Sequence, residues 1–227
     1  MSLFGEIVEP TSRTTWEDWD DDFAQSPFNT QLEWSTPLES NKNIKTTFIL
    51  EGRYLSNCIK QAQELVEPIN SIDSVNLKLY KLKTNSVFVC TIQDYDLLQS
   101  SDIVEALRPI VSKSDNVISL LTKPLPDYQS TSPDSSMCIV RKLSTTTAQD
   151  NLQFNFKNLE QPNIISGVSA GVTFLREHLN LPATVLVYYV DFSNDYVEDI
   201  NCQLEKLQLI ETSKRIHNNI LSSNLYI

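Results

Sequence analysis

The residue pattern with the most direct chemical reading is Gly167-Val168-Ser169-Ala170-Gly171, a match to Gly-x-Ser-x-Gly, the turn that presents the nucleophile in α/β hydrolases. With Asp191 and His217 downstream, the chain even carries the hydrolase order serine, acid, histidine. A nucleophile elbow needs a buried strand running into its first glycine. Only Ile164 and Ile165 stand there, just after Pro162-Asn163, and no glycine-rich oxyanion segment lies upstream. The pattern therefore reads as small residues that let a helix start pack closely. The only two histidines, His178 and His217, each fall in a helical pattern, where a surface or packing role is commoner than that of a base. Asp191 closes an apolar strand, a position where α/β enzymes place working carboxylates, although a hydrogen bond at the strand end is the simpler expectation. His-Glu-x-x-His, phosphate-cradling glycine loops and Cys-x-x-Cys are all absent. No catalytic residue, cofactor or metal is expected.

The C-terminus offers chemistry of another kind. Ser222-Ser223-Asn224 is a polar spacer, and Leu225-Tyr226-Ile227 follows it. One reading is a terminal strand or a tail packed on its own core. The other is a peptide inserted into a partner's pocket, with Leu225 filling an apolar site, Tyr226 bringing a ring and a hydroxyl, and the Ile227 carboxylate meeting a lysine. Each fully buried side chain would contribute ~1.5–3 kcal/mol, offset by ordering of the tail. One tail alone should bind weakly, so useful affinity needs a second, tethered contact.

The elements that would hold these residues follow an α/β pattern from residue 43. Ile44–Leu50 reads as a strand and Leu55–Leu65 as a helix. Val75, Leu77 and Leu79 alternate with Asn76, Lys78 and Tyr80 as in a half-buried strand. The turn Lys83-Thr84-Asn85 leads to Val87–Cys90, an apolar run suited to a central strand. Asp102 and Glu105 are spaced to cap a helix whose buried face is Ile103, Leu107 and Ile110 and which Pro109 should end or kink. Val117–Leu121 is a further strand, Lys123–Ser136 a loop, and Met137–Leu143 another strand. Val168, Val172, Leu175 and Leu179 mark a helix that Pro182 stops, and Thr184–Val190 follows as a fully apolar strand. Ile200, Leu204 and Leu207 mark the next helix, with Ile216 and Ile220 continuing a helical face. The expected architecture is a single α/β domain with a helix-covered, mixed or mainly parallel sheet over residues 43–221, an irregular arm over 1–42 and a tail over 222–227.

Charge sets the arm apart. The 227-residue chain carries a net charge of −11, and residues 1–42, with nine acids and two bases, hold −7 of it together with all three tryptophans. So acidic a chain is a poor default partner for nucleic acid or anionic membrane. Only four glycines further disfavour nucleotide-loop enzymes. The bland reading of Trp16-Glu17-Asp18-Trp19-Asp20-Asp21-Asp22 is a solvated tail; the sharper one is an arm that docks on a partner or folds back on the domain. The start has no signal-peptide pattern, the longest largely apolar run, Ala183–Val190, is far short of the ~20 residues of a membrane helix, and the four cysteines are scattered singly. A reducing, cytoplasmic setting is expected, with the cysteines as small core residues.

Three stretches, Leu3-Phe4-Gly5-Glu6-Ile7-Val8, Leu159-Glu160-Gln161-Pro162-Asn163-Ile164 and Ser223-Asn224-Leu225-Tyr226-Ile227, resemble the proteasome assembly chaperone 1 family. Asn85–Cys90, Asp127-Tyr128 and residues 167–191 add to the likeness, which runs through nearly the whole chain. The resemblance implies a non-enzymatic chaperone that pairs with proteasome assembly chaperone 2 as a heterodimer, binds α subunits of the core particle, promotes α-ring formation and prevents off-pathway association. It implies a fold like that of nucleoside phosphorylases without their catalytic equipment, and a cytoplasmic location extending to the nucleus or the endoplasmic-reticulum surface. The family's C-terminal motif, hydrophobic–Tyr–any residue, maps onto Leu225, Tyr226 and Ile227 as the α-ring anchor. Two other classes stand beside it: a divergent nucleoside phosphorylase or serine hydrolase, and a scaffold that binds through its acidic, Trp-containing arm.

Overall fold

The computed structural model describes residues 32–38, 44–61, 67–82, 86–130, 138–148, 156–191, 200, 204–207 and 209, all within one compact unit that begins at Leu32. Strands β1 (Ile44–Glu51), β4 (Val87–Ile92), β5 (Ser114–Pro124) and β7 (Ala183–Val190) form a parallel centre. Antiparallel strands flank it on both sides: β2 (Asn70–Ile72) and β3 (Leu77–Lys81) at one edge, β6 (Cys138–Ser144) at the other. The order across the sheet is β2-β3-β4-β1-β5-β7-β6, the mixed, helix-covered sheet expected from the sequence. No helix among the described residues is long and apolar enough to cross a membrane.

Period-2 alternation sends each central strand's side chains into two layers. On one face Ile49, Leu77, Leu79, Phe88, Cys90, Ile92 and Val117 meet α2 (Ser100–Val111) and α3 (Gly167–His178) through Ile103, Leu107, Val168, Val172 and Leu175. On the other face Phe48, Leu50, Val89, Leu120, Leu186 and Tyr188 meet Leu55 of α1 (Arg53–Gln61) and the buried Ile200, Leu204 and Leu209. Every residue of β7 is buried, as its unbroken apolar run demands.

Local chemistry explains where the structure departs from expectation. Tyr80 is buried rather than outward-facing, because it packs into the second layer beside Leu82 and Val89, while Lys78 on the same side of β3 stays half-buried. Val75 is buried but lies in a 3-10 turn (Asp73–Val75) that Asn76 ends in the left-handed region at φ 48°. Asp102 does not cap α2: it sits inside the first turn, and Asp96 caps the preceding 3-10 turn by accepting from the Leu98 N–H. Pro109 leaves α2 running to Val111, since it sits in the last turn and removes a single bond; the Ser112 and Ser114 hydroxyls satisfy the carbonyls of Arg108 and Ile110. β5 continues to Pro124, into the segment expected as loop, because β7 pairs with it as far as Pro124–Val190.

The C-terminus of α3 shows why that helix stops. Asn180 takes the left-handed conformation (φ 53°), its N–H donates to Glu177 and the Leu181 N–H donates to Arg176, a Schellman closure followed directly by Pro182. Trp34 lies on the domain with its indole N–H donating to the Ala106 carbonyl at 3.0 Å, and Leu32 and Leu38 pack on the same layer. Cys90 is fully buried, and burial pushes its thiol up to about 12. Trp16, Trp19, Cys202, the Lys83-Thr84-Asn85 turn, Ile216 and Ile220 lie outside the described residues.

Candidate functional site

β1 ends in Glu51, and Gly52 at φ 113° turns the chain into α1. Glu51 is an odd-numbered strand position on the α2–α3 side, so its carboxylate points at the start of α3. It is only 5% exposed and accepts from the backbone N–H groups of Val168 at 3.2 Å and Ser169 at 2.7 Å. The Tyr95 hydroxyl donates to the same carboxylate. Burial first, then the charge of Glu51 and the hydrogen bond to it, push the Tyr95 hydroxyl well above the usual phenol range. The first N–H groups of a helix carry partial positive charge and form a ready anion site. Here the anion is the protein's own.

That geometry explains the Gly-x-Ser-x-Gly pattern. Gly167 has φ 81°, and a Cβ there would collide with the Glu51 carboxylate and the Tyr95 hydroxyl. A Cβ on Gly171 would lie 2.8 Å from Val104 Cγ2 of α2. The glycines let the helix start close against β1 and α2, as the sequence reading of close packing expects. Ser169 is fully buried, and its Oγ has no hydrogen-bond partner among the described residues. His178 lies exposed at the far end of α3, so it cannot serve Ser169, and His217 lies outside the described residues. The structure brings no serine–acid–histidine set together among the described residues. Asp191 follows β7 directly, half-buried. Among the described residues no group of three His, Cys, Asp or Glu could hold a metal ion.

A second polar cluster joins two of the stretches singled out in the sequence. Asp127-Tyr128 follows β5, and Leu159–Ile164 leads toward α3. The Tyr128 hydroxyl donates to Glu160, and Arg141 of β6 donates to Glu160 through Nε at 3.0 Å while its guanidinium lies 4.9 Å over the Tyr128 ring. Burial raises the Glu160 carboxyl, but the hydrogen bonds from Tyr128 and Arg141 outweigh it and hold the group below the ordinary glutamate range. Asn163 donates to the Gln129 and Glu160 carbonyls and accepts from the Gln129 N–H. Gln161-Pro162, a cis peptide, is thus the turn within a braced segment. The expected ring anchor, Leu225, Tyr226 and Ile227, lies outside the described residues, as does Leu3–Val8.

Glu51, Tyr95, Arg141 and Glu160 were not singled out for chemistry in the sequence. A signal for Glu51 existed: a carboxylate closing an apolar strand directly before a glycine, the same argument that drew attention to Asp191.

No protein-family model matches this sequence, and no curated protein does. Solved structures do share its fold. Pyrococcus furiosus PbaA, an archaeal homolog of proteasome-assembly chaperone, superposes with a TM-score of 0.53 at 15% identity, covering 78% of this chain and 82% of that one. Pyrococcus furiosus PbaB, an archaeal proteasome activator, gives 0.52 at 10% identity over 80% of this chain and 91% of its own. A Thermoplasma acidophilum protein of unknown function gives 0.55 at 13% identity over 76% and 80%. The chain therefore has the mixed α/β fold of proteins that include proteasome-assembly chaperone homologues.

Proposed function

We propose that this chain is a proteasome assembly chaperone that acts by binding alone. In this reading it forms a heterodimer with proteasome assembly chaperone 2, and the pair holds α subunits of the core particle, promotes ring assembly and blocks off-pathway association. Leu225, Tyr226 and Ile227 anchor it in a pocket between neighbouring α subunits, and a face of the α/β domain meets the partner chaperone. Two tethered weak sites hold tightly together yet are lost one at a time, so release needs no nucleotide. The cytoplasm is the matching compartment. The observation that carries the reading is a coincidence: segments that resemble the chaperone 1 family occur in a chain whose fold is shared with PbaA.

The enzyme alternatives meet two obstacles. A phosphorylase of this fold would need an open anion site at the carboxyl ends of the parallel strands, and Glu51 fills the α3 N-terminus there. A hydrolase would need a base beside Ser169, whose Oγ is buried without a partner among the described residues.

The test is affinity purification with an N-terminal tag, beside a variant lacking Leu225–Ile227, with captured proteins identified by mass spectrometry. The intact chain should capture α subunits and a second chaperone, and the truncated chain should keep the second chaperone and lose most of the α subunits. Equal α-subunit capture by both chains would remove the tail from the mechanism. Capture of neither class would overturn the reading.

A further inference from the structure

Helices α2 and α3 lie side by side and run in the same direction. Three contacts tie them in order: the Val168 N–H donates at 3.1 Å to the hydroxyl of Tyr95, just ahead of α2, Gly171 meets Val104, and Arg176 donates to the Val111 carbonyl at 2.6 Å. Val168, Ser169, Val172, Thr173, Leu175 and Arg176 of α3 turn inward, which at about 100° per residue sends Phe174 outward from the domain. Phe174 is 76% exposed. Three more bare apolar side chains stand at the amino ends of the two helices. Leu97 and Leu98, in the 3-10 turn before α2, are 62% and 75% exposed, and Ile164, just ahead of α3, is 79% exposed. Ile164 is held in place: its carbonyl accepts from Lys123 Nζ at 2.7 Å, and the neighbouring Asn163 is fixed to the Gln129 backbone. The charges bordering this face are matched inside the chain. Arg108 donates to Glu105 at 2.7 Å, Asp96 accepts from the Leu98 N–H at 2.9 Å, and Glu177 accepts from the Thr146 N–H at 2.8 Å.

We propose that this face pairs two copies of the chain about a two-fold axis that crosses α3 near Gly171. Along α3, Gly171 is about midway between Phe174 and the end where Leu97, Leu98 and Ile164 stand. A two-fold axis there sets α3 antiparallel to its mate and lays Phe174 of each copy on the Leu97, Leu98 and Ile164 of the other, the self-complementary contact of an isologous dimer. Ala170 and Gly171, both partly exposed, let the two helices come close at the axis. The four side chains expose roughly 600 Å² on each copy, most of the ~800 Å² that each partner gives to an interface of standard size. Charge favours a second copy as well. In a chain of net charge −11 most approaches set like charges together, whereas here the named acids already have their partners. The pairing does not depend on the chaperone reading.

Sedimentation equilibrium of the full chain, from micromolar to a few hundred micromolar, tests the pairing. A reversible monomer–dimer equilibrium is expected, and added sodium chloride should tighten it by screening the repulsion between two acidic copies. Phe174→Asp and Leu98→Asp should each weaken the dimer by about tenfold or more. Both positions are exposed, so the unfolding midpoint of the dilute monomer should not change. Phe174→Leu keeps an apolar side chain and should retain most of the affinity. A chain that stays monomeric at a few hundred micromolar overturns the proposal. So does a dimer that salt dissociates, or one that neither aspartate substitution weakens, because either would be held by another surface.

Discussion

At its N-terminus α3 receives a charge from another element, the Glu51 carboxylate of β1; at its C-terminus it sends one out, the Arg176 guanidinium. Both groups are buried, and both are compensated by backbone dipoles. Glu51 takes two helix N–H groups and a phenol. Arg176 donates to four carbonyls: Val111 at 2.6 Å, Ser114 at 2.8 Å, Asp115 at 3.0 Å and Pro182 at 2.7 Å. Burial pulls the guanidinium down to about 10, partly offset by Asp115, which leaves it charged at neutral pH. One end of the helix is thus fixed by accepting and the other by donating, each with the sign that the helix dipole favours. The difference lies in reach. Glu51 joins two elements, whereas Arg176 joins the end of α2, the start of β5 and the turn before β7.

The comparison breaks first at Arg176. Arg176→Met retains much of the side chain's length but removes a donor from four carbonyls, of which Pro182 keeps the Val117 N–H at 3.4 Å, and each buried group left unsatisfied costs about 1–3 kcal/mol before relaxation or water entry. A loss of about 4 kcal/mol in urea unfolding is expected, with Arg176→Lys recovering less than half, because a single ammonium cannot span four acceptors. A loss under 1 kcal/mol would mean that the guanidinium is dispensable.

Gly167→Ala attacks the other end. The left-handed backbone alone costs about 1–2 kcal/mol with a Cβ, and here that atom must also displace Glu51 or Tyr95. About 2–4 kcal/mol should be lost, measured by the same unfolding experiment. Gly171→Ala should cost less, because its obstacle is one methyl of Val104.

Much of this frame was legible in the sequence, and the rest was hidden for physical reasons. Unbroken apolar runs give β4 and β7 and helical spacing gives α3, because strands covered on both faces need no polar alternation and a helix packed on one side does. Tyr80 misled because one strand's pattern does not reveal which positions on its outer face meet a second layer. The partners of Glu51 are 44, 117 and 118 residues away and those of Arg176 mostly more than 60, so no local spacing could announce either. Gly-x-Ser-x-Gly was legible as close packing, but what it packs against was not. For the proposed ring anchor the sequence is the whole of the argument, since Leu225–Ile227 lies outside the described residues.

Two conservative substitutions sharpen the chemistry at the helix start. Glu51→Gln keeps an acceptor but removes the charge, so about 1–2 kcal/mol should go. Ser169→Ala deletes a hydroxyl that has no partner among the described residues, and stability should stay within about 1 kcal/mol of the parent or rise. A phosphorolysis and esterase screen of Ser169→Ala beside the parent separates packing from catalysis. Any parent activity that vanishes with the hydroxyl would restore the hydrolase reading.

The smallest expected effect uses a carboxylate that is half-exposed rather than buried. Glu160 meets a true counter-charge in Arg141, and its side chain is 39% exposed, so solvent screens the pair. Its carboxyl is held below the ordinary value of 4.5, so the folded state binds this proton less readily than the unfolded chain does. Its contribution is complete above that value and is lost as the pH falls through the lower, folded pKa. Carboxyl chemical shifts followed by NMR should show Glu160 titrating below pH 4.5, and Tyr128 ring signals should move with it. In Glu160→Gln the acid-induced movement of Tyr128 should disappear while α3 stays intact. If Val168 and Ser169 amides shifted together with Tyr128, the braced segment and the helix start would be one unit, and the contrast between buried and half-exposed carboxylates would fail.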